Sequence, residues 1–160
     1  MRKYEILKLF LDELERELNT LLEAAFQAKE AATSEESKPE NKYDTRGLEA
    51  SYLAGAQAKR ATELRDFIDQ LKRVALKSFS SSERIETTAL VQIASEDGGS
   101  KFFFIVPREG GAKIDFAGHS VFVISPESPM GQALWHKHVG DAFEFQVKGE
   151  NHAYEIVNVE

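Results

Sequence analysis

The chain of 160 residues has no cysteine, so disulfides and thiolate metal sites are excluded. Proline is scarce, and three of the four fall at boundaries: Pro39 in a polar loop, Pro107 after an apolar run, and Pro129 where a short helix would begin. No apolar run is long enough to span a bilayer. The start, MRKYEILKLF, passes straight into an amphipathic pattern without the apolar core and cleavage site of a signal peptide, so cytoplasmic residence is expected. Positive charge is also in deficit. A formal net charge of −7 disfavours binding nucleic acid by broad phosphate neutralisation. There is no glycine-rich phosphate loop. His136 and His138 are two apart while His119 and His152 are distant, which is not zinc-ligand spacing, and Ser80-Ser81-Ser82 lacks the surroundings of a catalytic nucleophile.

What is present is organised around the polar stretch Thr33–Gly47, TSEESKPENKYDTRG, which carries Glu35, Glu36, Glu40 and Asp44. Before it, Leu7, Leu11, Leu14, Leu18, Leu21, Ala25 and Ala28 alternate spacings of four and three, which draws an apolar seam along a helix. After it, Ala50, Ala54, Gln57, Ala61, Leu64, Ile68, Leu71 and Ala75 repeat the pattern. Two helices joined by a short linker fold back as an antiparallel pair. The first, from about Lys3 to Ala32, would be roughly 45 Å long. Its seam passes from leucine to alanine towards the loop, so the hairpin is expected to taper to an acidic tip. The second helix is expected to start between Asp44 and Leu48, with Asp44 or Thr45 as the side-chain cap, and to run to about Ser78.

The serine run at 80–82 marks a domain boundary, giving a hairpin over 1–79, with the tip loop at 33–47, and a second domain over 83–160. There the period changes to two. Strands are expected at Thr88–Ile93, Lys101–Val106, His119–Ile124, Ala142–Val147 and Tyr154–Val159, with a short helix at Pro129–His136. The fold class is therefore α+β: an N-terminal antiparallel helical hairpin, or coiled coil, followed by a small, mostly antiparallel β domain with one short helix. Trp135 and Phe143 are expected in its core, and Gly140-Asp141 in a turn.

Ser128-Pro129-Met130-Gly131-Gln132-Ala133-Leu134, then Lys137, then Gly140-Asp141, resembles the C-terminal signature of the Gre transcript-cleavage factors, GreA and GreB. The likeness covers the whole chain in layout and Ile124–Val159 in residues. It implies an FKBP-like β domain seated at the rim of the secondary channel of bacterial RNA polymerase, with the hairpin threaded inward. Glu127, Ser128 and Pro129 would form the docking turn. The tip would assist the polymerase's own magnesium-dependent cleavage of backtracked RNA, so the protein would be no enzyme by itself. It would have no cofactor of its own, no membrane contact and no sequence-specific nucleic-acid site. Glu40 and Asp44 are the candidate tip carboxylates, assisting catalysis and touching magnesium only transiently within the complex.

The tip departs from the family's usual Asp-Leu-Ser-Glu-Asn-x-x-Tyr. Glu40-Asn41 and Tyr43 match, the tyrosine one residue closer, but Ser37 stands where the first acid is expected. Glu35, Glu36 or Asp44 could replace that acid sterically. Three alternatives therefore stay open: a channel binder that inhibits or competes without stimulating cleavage, a coiled-coil interaction module unrelated to transcription, and, with least support, a prolyl isomerase. The oligomeric state is open as well.

Overall fold

The computed structural model describes residues 3–34, 38–40, 43 and 45–160. The elements are α1 (Lys3–Thr33), α2 (Arg46–Lys72), β1 (Leu90–Ser95), β2 (Ser100–Ile105), β3 (Lys113–Phe116), β4 (His119–Ile124), α3 (Pro129–Leu134), β5 (Ala142–Val147) and β6 (Glu150–Val159). The fold is an N-terminal helical hairpin followed by a mixed six-stranded sheet with one short helix. Packing separates two units. One is Leu11–Val74; the other joins the chain up to Phe10 with Ala75–Glu160. The sequence reading instead divides the chain between 79 and 83.

In the hairpin unit the heptad seam is the shielded face. Leu14, Ala28, Ala61, Leu64, Ile68 and Leu71 are buried, and Leu11, Leu18, Leu21, Ala25, Ala50, Ala54 and Gln57 are half-buried. Ion pairs tie the helices outside the seam, among them Lys72 to Glu15 at 2.8 Å and Arg60 to Glu17 at 3.4 Å. The hydrogen bond from Glu15 raises the Lys72 pKa. Both pairs are solvent-exposed, so apolar burial carries the stability.

In the β unit the sheet order is β3-β4-β2-β1-β6-β5. Four of the five pairings are antiparallel, as expected, but β2 and β4 run parallel. The parallel pairing follows from β3, an edge strand the sequence reading passes over. Its four residues lie between Gly110-Gly111 and the turn Ala117-Gly118, too short to establish a period. The β5–β6 turn is the pair Lys148-Gly149, with φ of 53° and 91°, flanked by the Val147–Glu150 pairing. Positive φ at both central residues matches the twist of a two-residue hairpin, so β6 starts earlier than expected, at Glu150. Val91, Ile93, Phe103, Ile105 and Ile156 form a core with Leu134 of α3, and Trp135 and Phe143 pack against it.

Helix α2 ends at Lys72, six residues before the expected Ser78. The apolar pattern continues beyond it, but the backbone finds other partners. The Lys77 N–H donates to the Thr88 hydroxyl at 3.1 Å, and the Lys77 carbonyl accepts from the Lys3 ammonium. Thr88 is buried at φ 74°, a rare conformation for a β-branched residue, and its N–H donates to the Ile105 carbonyl at 2.8 Å. Lys3 also donates to the carbonyls of Thr88 (3.1 Å) and Glu160 (2.8 Å), and its ammonium lies 5.0 Å from the Phe79 ring centre. Partial burial lowers its pKa, with the Glu160 charge opposing. One ammonium thus gathers the start of α1, the segment after α2, and both ends of the sheet domain's chain. Lys3→Met is expected to cost about 1 kcal/mol, discounted for partial exposure. That corresponds to roughly 3 °C in Tm, measured by calorimetry. An unchanged Tm would remove Lys3 from the account of this junction.

Candidate docking turn and hairpin tip

The candidate docking turn begins where β4 ends. Ser128 is the N-cap of α3 in an extended conformation, and its hydroxyl accepts from the Gly131 N–H at 3.0 Å while donating to the Ser125 carbonyl at 2.8 Å. Pro129 occupies the first helical turn, where its missing N–H costs nothing. The Gln132 side-chain amide donates to the Glu127 carbonyl at 2.9 Å. The turn therefore has a fixed backbone from Ser125 to Gln132. Glu127 and Pro129 are exposed, whereas Ser128 is half-buried and its hydroxyl is engaged within the turn. Of the three expected docking residues, two face solvent and the third holds them in place.

Sequence reasoning includes Gly131 in the signature but assigns it no role. It is buried, and a Cβ there would lie 1.9 Å from the Ser125 carbonyl oxygen. Its signal was present: glycine is a poor helix former, so its place inside a six-residue helix marks a close backbone approach.

Gly140 takes φ 89°, and the Asp141 carboxylate accepts from the His138 N–H at 2.8 Å, with the His138 imidazole 3.6 Å away. That backbone hydrogen bond is the main cause of a lowered Asp141 pKa; the His138 charge adds to it and desolvation opposes. A carboxyl depressed on folding stabilises the folded state above its unfolded pKa. The contribution is lost as pH falls through the lower folded value. Asp141→Asn is therefore expected to lower stability at neutral pH, with the gap to wild type closing as pH drops below the ordinary aspartate value of 3.8. Denaturant unfolding across that range checks this. A gap that stays constant with pH would show that the aspartate charge contributes nothing.

At the tip, Glu40 has an 81% exposed side chain, and its carboxylate lies 3.7 Å from the Arg46 guanidinium. Asp44 lies outside the described residues, as do Glu35, Glu36 and Ser37, so the expected pairing of Glu40 with Asp44 has no geometry. Helix α2 starts at Arg46 with Thr45 at the N-cap position, within the expected range. The Thr45 hydroxyl does not cap the backbone as expected. It donates to the Glu49 carboxylate at 2.8 Å instead. Among the described residues, no group of three or more histidine, aspartate or glutamate side chains is placed to share a metal ion.

A family model described as transcription elongation factor GreA/GreB, C-terminal, matches residues 80–160. Among solved structures, Gfh1 of Thermus aquaticus aligns at 25% identity and a TM-score of 0.42, covering 98% of this chain and 92% of that one. The GreA homologue Gfh1 of Thermus thermophilus aligns at 22% identity and a TM-score of 0.40, covering 94% of each. A GreA/GreB elongation factor of Nitrosomonas europaea aligns at 22% identity and 0.39, covering 60% of this chain and 78% of that one. These superpositions are too loose to equate individual residues. No curated protein matches the chain significantly.

Proposed function

Since the chain belongs to the GreA/GreB family of transcription elongation factors, we propose that it binds bacterial RNA polymerase at the rim of the secondary channel and passes its hairpin inward. The observation that carries this reading is the prebuilt turn within the family-matched segment. Ser128 locks it, and Glu127 and Pro129 stand out from it. A rigid turn loses little conformational entropy on docking, so more of its contact energy appears as affinity.

In the hairpin unit, Glu40 presents carboxylate oxygens to solvent, the donor type magnesium prefers. One described carboxylate supplies part of a ligand set, and the polymerase's own acids would complete it. Magnesium bound there would stabilise charge on the attacking and leaving oxygens as backtracked RNA is cut. The chain's own part is to carry Glu40, and Asp44 if it lies at the apex, to that point and orient them. The protein then acts as a regulator and the polymerase as the enzyme.

A second reading, binding without stimulated cleavage, is favoured by two features of the tip. Ser37 stands where the family carries an acid, and Arg46 lies beside the one acid that matches. Purified protein added to stalled, backtracked elongation complexes with magnesium separates the two. Shortened RNA supports cleavage. Unchanged RNA, with an authentic Gre factor displaced, supports channel occupancy alone. Neither effect would refute both.

A further inference from the structure

The part of the hairpin nearest its tip exposes large apolar side chains where a solvated coiled coil carries charge. With Leu21 and Ala28 at heptad position d and Ala25 at a, Leu22 falls at e and Phe26 at b. On α2, Ala50 and Gln57 at d and Ala54 at a place Leu48 at b, Tyr52 at f and Leu53 at g. All five are exposed, from 39% for Leu22 to 61% for Phe26 and 73% for Tyr52. Positions b and f point away from the partner helix, while e and g flank the seam on opposite sides. The apolar groups are therefore spread around the hairpin instead of gathered into one patch.

That distribution selects the occupant. A flat surface or a second copy of this chain covers one side of a two-helix rod and leaves the others wet. Residues 22–53 also carry seven carboxylates against four basic side chains, so a second copy would bring like charge to the contact. A protein cavity that encloses the hairpin, with apolar and basic groups on its wall, meets both conditions. Resting on the reading above, we propose that Leu22, Phe26, Leu48, Tyr52 and Leu53 form an apolar collar that grips the wall of the polymerase channel. The collar supplies the hairpin's share of the affinity.

The test uses the full-length protein, purified bacterial core RNA polymerase, and fluorescence anisotropy. One variant carries Leu22→Gln, Phe26→Gln and Leu48→Gln; the other carries Tyr52→Gln and Leu53→Gln. Glutamine keeps helix propensity, and circular dichroism with Tm verifies the fold. Each variant is expected to bind at least about tenfold more weakly, while Gln27→Ala, at an exposed polar position of α1, binds like wild type. Loss in only one variant would replace the collar by a one-sided patch and overturn the proposal. Both variants binding like wild type, while the Ser128→Ala/Pro129→Ala protein loses binding, would overturn the collar and leave channel docking standing. A wild-type protein that does not bind polymerase overturns both. A wild-type dimer in sedimentation that the variants abolish would assign these side chains to a second copy, contrary to the proposal.

Discussion

Gly131→Ala is expected to lower the stability of the β unit by about 3 kcal/mol and to abolish polymerase binding. The new methyl would meet the Ser125 carbonyl oxygen at 1.9 Å, and neither group can rotate away because both are fixed to backbone. Relief requires α3 to separate from the end of β4. That movement breaks the hydrogen bond from the Ser128 hydroxyl to the Ser125 carbonyl and carries Glu127 and Pro129 out of position. The contrast is Ser128→Ala with Pro129→Ala. Removing the cap costs about 1 kcal/mol, and the exposed proline little, so the unit should remain folded. Binding should nevertheless disappear, because the presented side chain and the lock are both gone. Thermal unfolding and competition with an authentic Gre factor measure the two effects separately. A Gly131→Ala protein with wild-type Tm and wild-type competition would contradict the account of this turn.

At the tip, Glu40→Ala should cut stimulated RNA cleavage strongly while the protein still competes with a Gre factor, since the substitution touches neither the docking turn nor the collar. Asp44 requires two substitutions. Asn keeps an N-cap acceptor but is a poor magnesium ligand, so activity lost in both Asp44→Asn and Asp44→Ala indicates metal contact. Activity kept in Asn alone indicates capping. Thr45, at the N-cap position, makes no side-chain cap. Ser37→Asp supplies the converse by restoring the acid the family carries. An inert wild type and an active Ser37→Asp would define a channel binder that has lost half of its tip pair. If wild type and Glu40→Ala cleave equally well, Glu40 has no part in the chemistry.

Most of the hairpin was legible because its signal is local. The alternation of four and three from Leu7 to Ala28 needs only a helix to become a shielded seam. The end of α2 was not legible, because Val74 and Leu76 extend the apolar pattern while the interactions that unwind it come from Thr88 and Lys3, far along the chain. In the sheet, β4 and β5 begin and end where their period and bordering turns place them, whereas β3 is only four residues long. The docking turn divides in the same way. Ser128 and Pro129 announce a helix start by themselves, but the requirement for glycine at 131 depends on where the Ser125 carbonyl comes to lie after β4.

Whether the hairpin tip reaches the polymerase active centre can be measured directly, because the absence of cysteine allows a single thiol to be placed at the tip. A single thiol introduced by Lys38→Cys can carry a chelated iron that generates hydroxyl radicals over a short range. With stalled elongation complexes, radical cuts are expected in the RNA near its 3′ end and in the polymerase segments around its catalytic magnesium. Cuts confined to the outer surface of the polymerase, by a labelled protein that still competes with a Gre factor, would contradict insertion of the hairpin.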